Sequence, residues 1–443
     1  MDRASGGKRQ TREGGDDPLW SLSRELTGVA PKTVFGVAEP PRVLWASPDG
    51  LEVAGCGAIR GVTASGSDRF ETVQAAAAGR LAGLSHDGPD ASRPRAFGGL
   101  SFHPTHEPCG TWEGFETAAF VVPEVQVTRT DGGTWLTAVG ESEDEAAETL
   151  ARVHDDLSGR SAAAGNGRPP GTDATREATG REGWIEGVAN ARERIARGDL
   201  EKVVLAEALT VDLEDPLDLE DTVARLGERY PNCYRFAVDP GGGGTFFGAP
   251  PERLAAVCGR QVRTEALAGS IGRGETPEDD ESLLERMTGS EKYRHEHRLV
   301  AEVIRECLEP LVSTVSVGER TVRRLANIQH LLTPIEATLE RDHHVLEVVD
   351  ALHPTPAVGG VRLEDAMETI GEIECFERGW YAAPIGWFDA DGDGEFAVGL
   401  RSGVATDESV TLFAGNGIVA DSDPETEWEE VNLKFRPILD QLR

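Results

Sequence analysis

Lysine is nearly absent from this chain. Of its 44 basic residues in 443, five are Lys (8, 32, 202, 292 and 434) and 39 are Arg, against 78 Asp and Glu. The formal charge of −34 repels phosphate backbones and anionic lipid, so neither nucleic acid nor a membrane surface is an expected partner. Abundant Asp and Glu with scarce Lys is also the composition expected of a halophilic protein working in molar salt. Cysteine is thin too. The six (56, 109, 233, 258, 307, 375) form no Cys-x-x-Cys pair, which excludes a zinc ribbon or a disulfide framework and suits reduced thiols in a cytoplasmic protein. No run approaches the roughly 18 apolar residues of a membrane span, and Met1 to Pro18 lacks the apolar stretch of a secretory signal. No fixed-period repeat is present, which sets solenoids and propellers aside.

What is there is an α+β pattern. Residues 1–17 read as a disordered tail and 18–157 as an N-terminal part of the fold. Residues 158–182, rich in Gly, Ala, Ser, Thr and Pro without hydrophobic period, read as a flexible loop, and 183–443 as the larger C-terminal region. Trp184 to Arg197 has helical spacing, and the β-branched run Lys202 to Val211 suits a strand. Two apolar runs within Thr245 to Gly269 predict a hairpin turning at 258–261. Ser290 to Leu308 is expected to be a helix with Ser290 as N-cap. Gly386 to Ser402 and Ser409 to Ile418 alternate like strands. The last helix spans 425–442, with Pro437 expected to kink or stop it.

Several motifs are decoys. Asp389-Ala-Asp-Gly-Asp-Gly-Glu395 opens like a calcium loop, but its twelfth position is Leu400 rather than Glu, so a hairpin turn is expected. Gly241 to Gly244 lacks the Lys-Ser/Thr of a phosphate loop. His295-Glu296-His297 has the wrong spacing for a zinc helix, and His343 with His344 reads as a surface pair.

The candidate chemistry rests on few residues. Glu296 lies four residues before Val300 and continues the apolar stripe of its helix inward; a carboxylate paired with an Arg fits equally well. Glu427, Glu430 and Lys434 share one face of the last helix, where Glu430 and Lys434 also match an ordinary i, i+4 surface pair. Two helices aiming carboxylates inward suit Mg²⁺, a hard cation that takes a few carboxylates plus water. Lys202 stands at the head of a strand in a protein that otherwise uses Arg. A desolvated Lys can give up its proton near neutral pH and Arg cannot, so Lys202 is a candidate base or merely an exposed strand end. Glu252, after Pro250-Pro251, is either a solvated turn carboxylate or, if apolar groups surround it, a proton donor.

The ordered blocks KVVLAEAL (202–209), FFGAPPERL (246–254), TEALAGSIGRG (264–274), SEKYRHEHRLV (290–300), NIQHLLT (327–333), LHPTPAVGG (352–360), ERGWYAAPIGW (377–387), GEFAVGLRS (394–402), AGNGIV (414–419) and SDPETEWEEVNLK (422–434) resemble the chorismate-utilising enzymes. Within that family they resemble its isochorismate synthase branch, of menaquinone or siderophore type. The likeness covers residues 183–440 and weakens earlier, at FGGLSF (97–102) and WEGF (112–115).

The resemblance implies one large catalytic domain with antiparallel sheets packed between helices, with 183–443 the chorismate-binding region. It implies Mg-dependent conversion of chorismate to isochorismate, with Lys202 activating water for attack at C2 and Glu252 protonating the departing C4 hydroxyl. Glu296 and Glu430 match the metal ligands, with Glu427 acting through water. Arg401 and Lys434 match groups that grip substrate carboxylates, Gly269, Ser270 and Gly415 line the same region, and His330 flanks the ring. Lys202 speaks for water over ammonia as nucleophile, so no amidotransferase subunit is expected; Ala266 to Ser270 lacks the Lys of the aminodeoxychorismate branch. Salicylate synthases also keep that Lys, and an inactive metal-binding homologue is the non-enzyme alternative. Departures from the family pattern are Glu207 for Arg, Ala249 for Ser, Tyr293 for Asp, Ala383 and Asn416.

Overall fold

Lys202–Leu213 is buried along most of its length, as its β-branched run predicts, and lies inside a 13-stranded sheet. It pairs antiparallel with Ser409–Ile418, from Val203 opposite Ile418 to Asp212 opposite Ser409. A second, ten-stranded sheet is built around Gln261–Gly272 and Ile328–Leu339. The hairpin between Arg253–Cys258 and Gln261–Gly272 turns at Gly259-Arg260, where expected. The computed structural model describes residues 18–81, 83–158 and 167–443, so the expected tail lies outside the described residues.

Strands from early and late sequence interleave. Arg42–Ala46 pairs with Arg235–Asp239 in the larger sheet, and Ala96–Leu100 pairs with Pro384–Phe388 in the smaller. Both sheets feed one apolar cluster, where Trp112 packs on Phe246 and Phe413 and Phe115 on Trp380. The result is a single α+β domain, because neither half could bury its sheet faces alone. Among the described residues no helix is long and apolar enough to cross a membrane.

Three expectations need correction, while Ser290 takes the N-cap position expected of it. The stretch read as a loop over 158–182 contains the strand Thr172–Glu177, which pairs with Lys202–Leu213; residues 159–166 lie outside the described set. Its side chains are mostly exposed, so it carries no hydrophobic alternation, and backbone pairing plus an Arg176–Asp212 ion pair hold it. Pro437 does not stop the last helix, which runs over Pro424–Leu442. The Leu433 carbonyl that Pro437 cannot serve accepts instead from Asn327 Nδ2 at 3.2 Å. Ser290 occupies the N-cap of Glu291–Leu308 without a capping side-chain bond. His343 and His344 are not a surface pair: His343 is buried against Glu347, and His344 caps the helix Val345–Leu352 in a capping box. The calcium-loop look-alike is a turn, with Asp389 accepting the N–H groups of Asp391 and Asp393.

Glu207, one of the departures, has a local role. Its buried carboxylate accepts the N–H groups of Ala178, Thr179 and Gly180, the leading end of the helix Gly180–Arg197. Four exposed donors at a helix start attract a carboxylate.

Candidate active site

One cavity lies where the two sheets meet the helices Glu291–Leu308 and Pro424–Leu442. Every candidate residue named from sequence lines it: Lys202, Glu252, Gly269, Ser270, Glu296, His330, Arg401, Gly415, Glu427, Glu430 and Lys434. Three of the five lysines, 202, 292 and 434, are here. In a protein that avoids Lys elsewhere, that concentration marks the cavity as an anion site.

Lys202 is 1% exposed and its Nζ donates to Glu296 Oε1 at 3.0 Å. Glu296 therefore does point inward, and its inward partner is a Lys rather than an Arg. Burial raises its proton affinity, but Lys202 overrides that and holds it below the usual carboxylate range. Gly417 makes the pair possible: a Cβ there would sit 2.7 Å from Lys202 Cε and 3.0 Å from Glu296 Oε1.

Glu252 is 2% exposed, and its Oε1 is buried without a partner. Burial first, then the negative Glu265, pushes its carboxyl up to about 8, against the pull of Arg323 and Lys202. A carboxylic acid that keeps its proton at neutral pH is a proton donor.

At another wall, Arg401 Nη2 donates to His330 Nε2 at 2.9 Å, and His330 Nδ1 lies 2.7 Å from Ser270 Oγ. Burial and the cations Arg401, Lys434 and Arg323 keep the imidazole neutral. With Nε2 accepting, the ring proton sits on Nδ1 and is donated to Ser270. Arg401 is buried in a left-handed conformation (φ 48°), and its Nη1 has no partner. A buried guanidinium with an open donor edge is set for a carboxylate.

Gly269 (φ 75°) interrupts the pairing of Gln261–Gly272 with Ile328–Leu339, where the register shifts between Ala268 and Ser270. Gly415 is needed for close approach: a Cβ would meet the Leu205 carbonyl at 2.7 Å and the Tyr381 hydroxyl at 3.1 Å. Its own carbonyl accepts from Lys434 Nζ at 3.0 Å, and Lys434 also donates to Asn416 Oδ1 at 2.6 Å.

The three glutamates supply oxygen donors of the kind Mg²⁺ prefers. Among the described residues no group of three His, Cys, Asp or Glu side chains is close enough to enclose an ion; Glu296 turns to Lys202 and Glu430 to Lys434, the latter at 2.9 Å. Glu427 carries the mark of crowded negative charge, since burial and then Glu430 push its carboxyl up to about 7. A divalent cation relieves that crowding, so the donor set fits.

Sequence reasoning did not single out Lys292, 3.8 Å from Glu427, nor Gly417, Arg323 and Glu265. It also passed over Arg378, which pairs with Glu374 and donates to the Val204 and Val358 carbonyls behind the cavity. The scarcity of Lys was the available signal for Lys292; the others act through contacts distant in sequence.

The chorismate binding enzyme family matches residues 7–443. Among curated relatives, isochorismate synthase MenF of Bacillus subtilis is 34% identical, the alignment covering 96% of this chain and 93% of that protein. The salicylate biosynthesis isochorismate synthase of Pseudomonas aeruginosa is also 34% identical, over 96% and 90%. The solved menaquinone-specific isochorismate synthase MenF of Escherichia coli superposes with a TM-score of 0.82 at 26% identity, over 96% and 95% of the two chains. Anthranilate synthase component I of Streptococcus pneumoniae shares the fold, with a TM-score of 0.75 at 19% identity. With every residue lining the cavity inside the matched span, the chain belongs to the chorismate-binding enzymes.

Proposed function

We propose that this protein is an isochorismate synthase that works without an amidotransferase and feeds menaquinone synthesis. The observation that carries the chemistry is a buried lysine and a buried, protonated glutamic acid on one cavity: Lys202, and Glu252 held up to about 8. The relatives in Bacillus subtilis and Escherichia coli support the reaction and the menaquinone assignment. Six free cysteines support work in the cytoplasm.

In this reading Lys202 Nζ, acting in its uncharged form, takes a proton from water as the water oxygen bonds to C2 of chorismate. The ring double bonds shift, and the C4 hydroxyl departs as water with the proton from Glu252. Arg401 and Lys434 hold substrate carboxylates, and the Ser270–His330 hydrogen bond fixes the imidazole beside the ring. Glu296 and Glu430 would hold Mg²⁺, with Glu427 through water. When bound, the ion supplies positive charge for a ring carboxylate in a strongly acidic protein.

The test is chromatography of the products after the purified protein meets chorismate and Mg²⁺ in high salt without ammonia. Isochorismate alone, lost on chelation, is the expected result. Salicylate with pyruvate would make the protein a salicylate synthase. Turnover only with ammonia would overturn the role given to Lys202, and no turnover under any condition would leave an inactive metal-binding homologue.

A further inference from the structure

The backbone around Glu252 is gripped from three directions. Arg323, on the short strand Thr321–Arg324, makes a two-pronged pair with Glu265 of the strand Gln261–Gly272, at 2.5 Å and 2.9 Å. The same Arg323 Nη1 donates to the Pro251 carbonyl. Glu265 Oε1 accepts the Arg253 N–H at 3.0 Å. Between these, the Glu252 carbonyl accepts the Val398 N–H at 3.2 Å. One ion pair thus holds the residue before and the residue after Glu252, whose own Oε1 has no partner.

A mostly buried ion pair is a poor source of stability, because desolvating two charges offsets their attraction. Its placement here is better explained by what it holds. We propose that the Arg323–Glu265 pair is the positioning device of Glu252, fixing the 251–253 backbone so that the carboxyl enters the cavity.

Neither residue touches substrate in this account; both act through Glu252, so the inference rests on Glu252 being the acid. Three charged groups act on that carboxyl: Glu265, Arg323 and, across the cavity, Lys202. Of the pair, the negative end acts on it more strongly than the positive end. The two ends therefore pull the proton affinity of Glu252 in opposite directions, which gives the charge variants opposite signs.

The experiment is the pH dependence of kcat for the full chain with chorismate and Mg²⁺. Glu265→Gln removes the negative charge and leaves Arg323 facing Glu252, so the alkaline limb should move down by about one pH unit. Arg323→Gln should move it up. Arg323→Lys keeps the charge but loses the two-pronged grip, so kcat should fall roughly tenfold or more with the limb in place. An alkaline limb unmoved in whichever Gln variant melts like the wild type overturns the charge role. Wild-type kcat in Arg323→Lys overturns the clamp, and settles the matter even if both Gln variants fail to fold. Glu252→Gln separates the two levels: full activity there refutes the acid itself, whereas an inactive Glu252→Gln with a stationary limb in the pair variants sinks this inference alone.

Discussion

Lys202 Nζ lies 3.0 Å from Glu296 Oε1, with the two side chains 1% and 15% exposed. Each is the other's reason for being charged inside the protein. Lys202→Met takes away the base and strands the carboxylate. Loss of a general base lowers kcat by about 10²–10⁴-fold, and breaking a buried pair costs on the order of 3–5 kcal/mol. The melting temperature without divalent cation should therefore fall. Adding MgCl₂ should raise it more in the variant than in the wild type, since a cation then meets the uncompensated Glu296. Equal Mg²⁺ responses in the two proteins would contradict the assignment of Glu296 to the metal.

Glu252 ties activity and stability to the same proton. Its carboxyl, up to about 8 in the folded protein, must be protonated to act, so kcat should decline as pH rises through about 8. The unfolded chain ionises near the ordinary glutamate value of about 4.3. Because the folded form binds the proton more tightly, the stability this group lends is complete below the unfolded value. It is lost progressively as pH rises through the folded one. Glu252→Gln has the same shape and nothing to ionise. It should be nearly inactive at every pH, melt like the wild type at pH 4, and melt above it by a margin that widens to about pH 8 and then levels off. Calorimetry across that range is the check, and a margin that does not grow with pH would mean the carboxyl is not desolvated as described.

Arg401 is held to His330 by one nitrogen while Nη1 is buried and open. Arg401→Lys keeps a cation but loses the fork, and leaves His330 Nε2 without its donor. The loss of a charged hydrogen bond to the substrate, about 1.5–3 kcal/mol, corresponds to a KM raised by roughly 10–100-fold. Steady-state kinetics at fixed Mg²⁺ would show it; a KM equal to that of the wild type would release Arg401 from carboxylate binding.

The cavity was more legible in the sequence than the framework around it. Lys202 stood out because Lys is rare, and Glu296, Glu427, Glu430 and Lys434 because helical spacing puts them on inward faces; those signals are local. Glu252 was readable only as a choice between two environments, and the fold resolves it by burying the side chain. The strand Thr172–Glu177 was missed because an exposed edge strand has no hydrophobic alternation to read. Arg323 and Glu265 were missed because their pairing joins residues 58 apart in the chain. Pro437 misled because the stop rule assumes its lost hydrogen bond goes unreplaced, and Asn327, far away in sequence, replaces it.

The net charge of −34 makes a prediction independent of the active site. Many of its Arg residues pair with carboxylates at the surface, as in Arg176–Asp212, Arg181–Glu425 and Arg305–Glu309. Salt acts on these in two directions. It weakens each exposed pair, which is worth only about 0–1 kcal/mol. It also screens the repulsion among the acidic residues that outnumber their partners, and that repulsion sums over the whole surface. With 78 acidic against 44 basic residues the second effect should win. The melting temperature should rise between about 0.1 and 2 M KCl, most steeply where the screening length falls from about 10 Å to a few ångströms. The buried Lys202–Glu296 pair is shielded from this change, so the Mg²⁺ response should persist in high salt. A melting temperature that is flat or falls over that range would show that the paired arginines already neutralise the surface, and would remove the case for a protein adapted to salt.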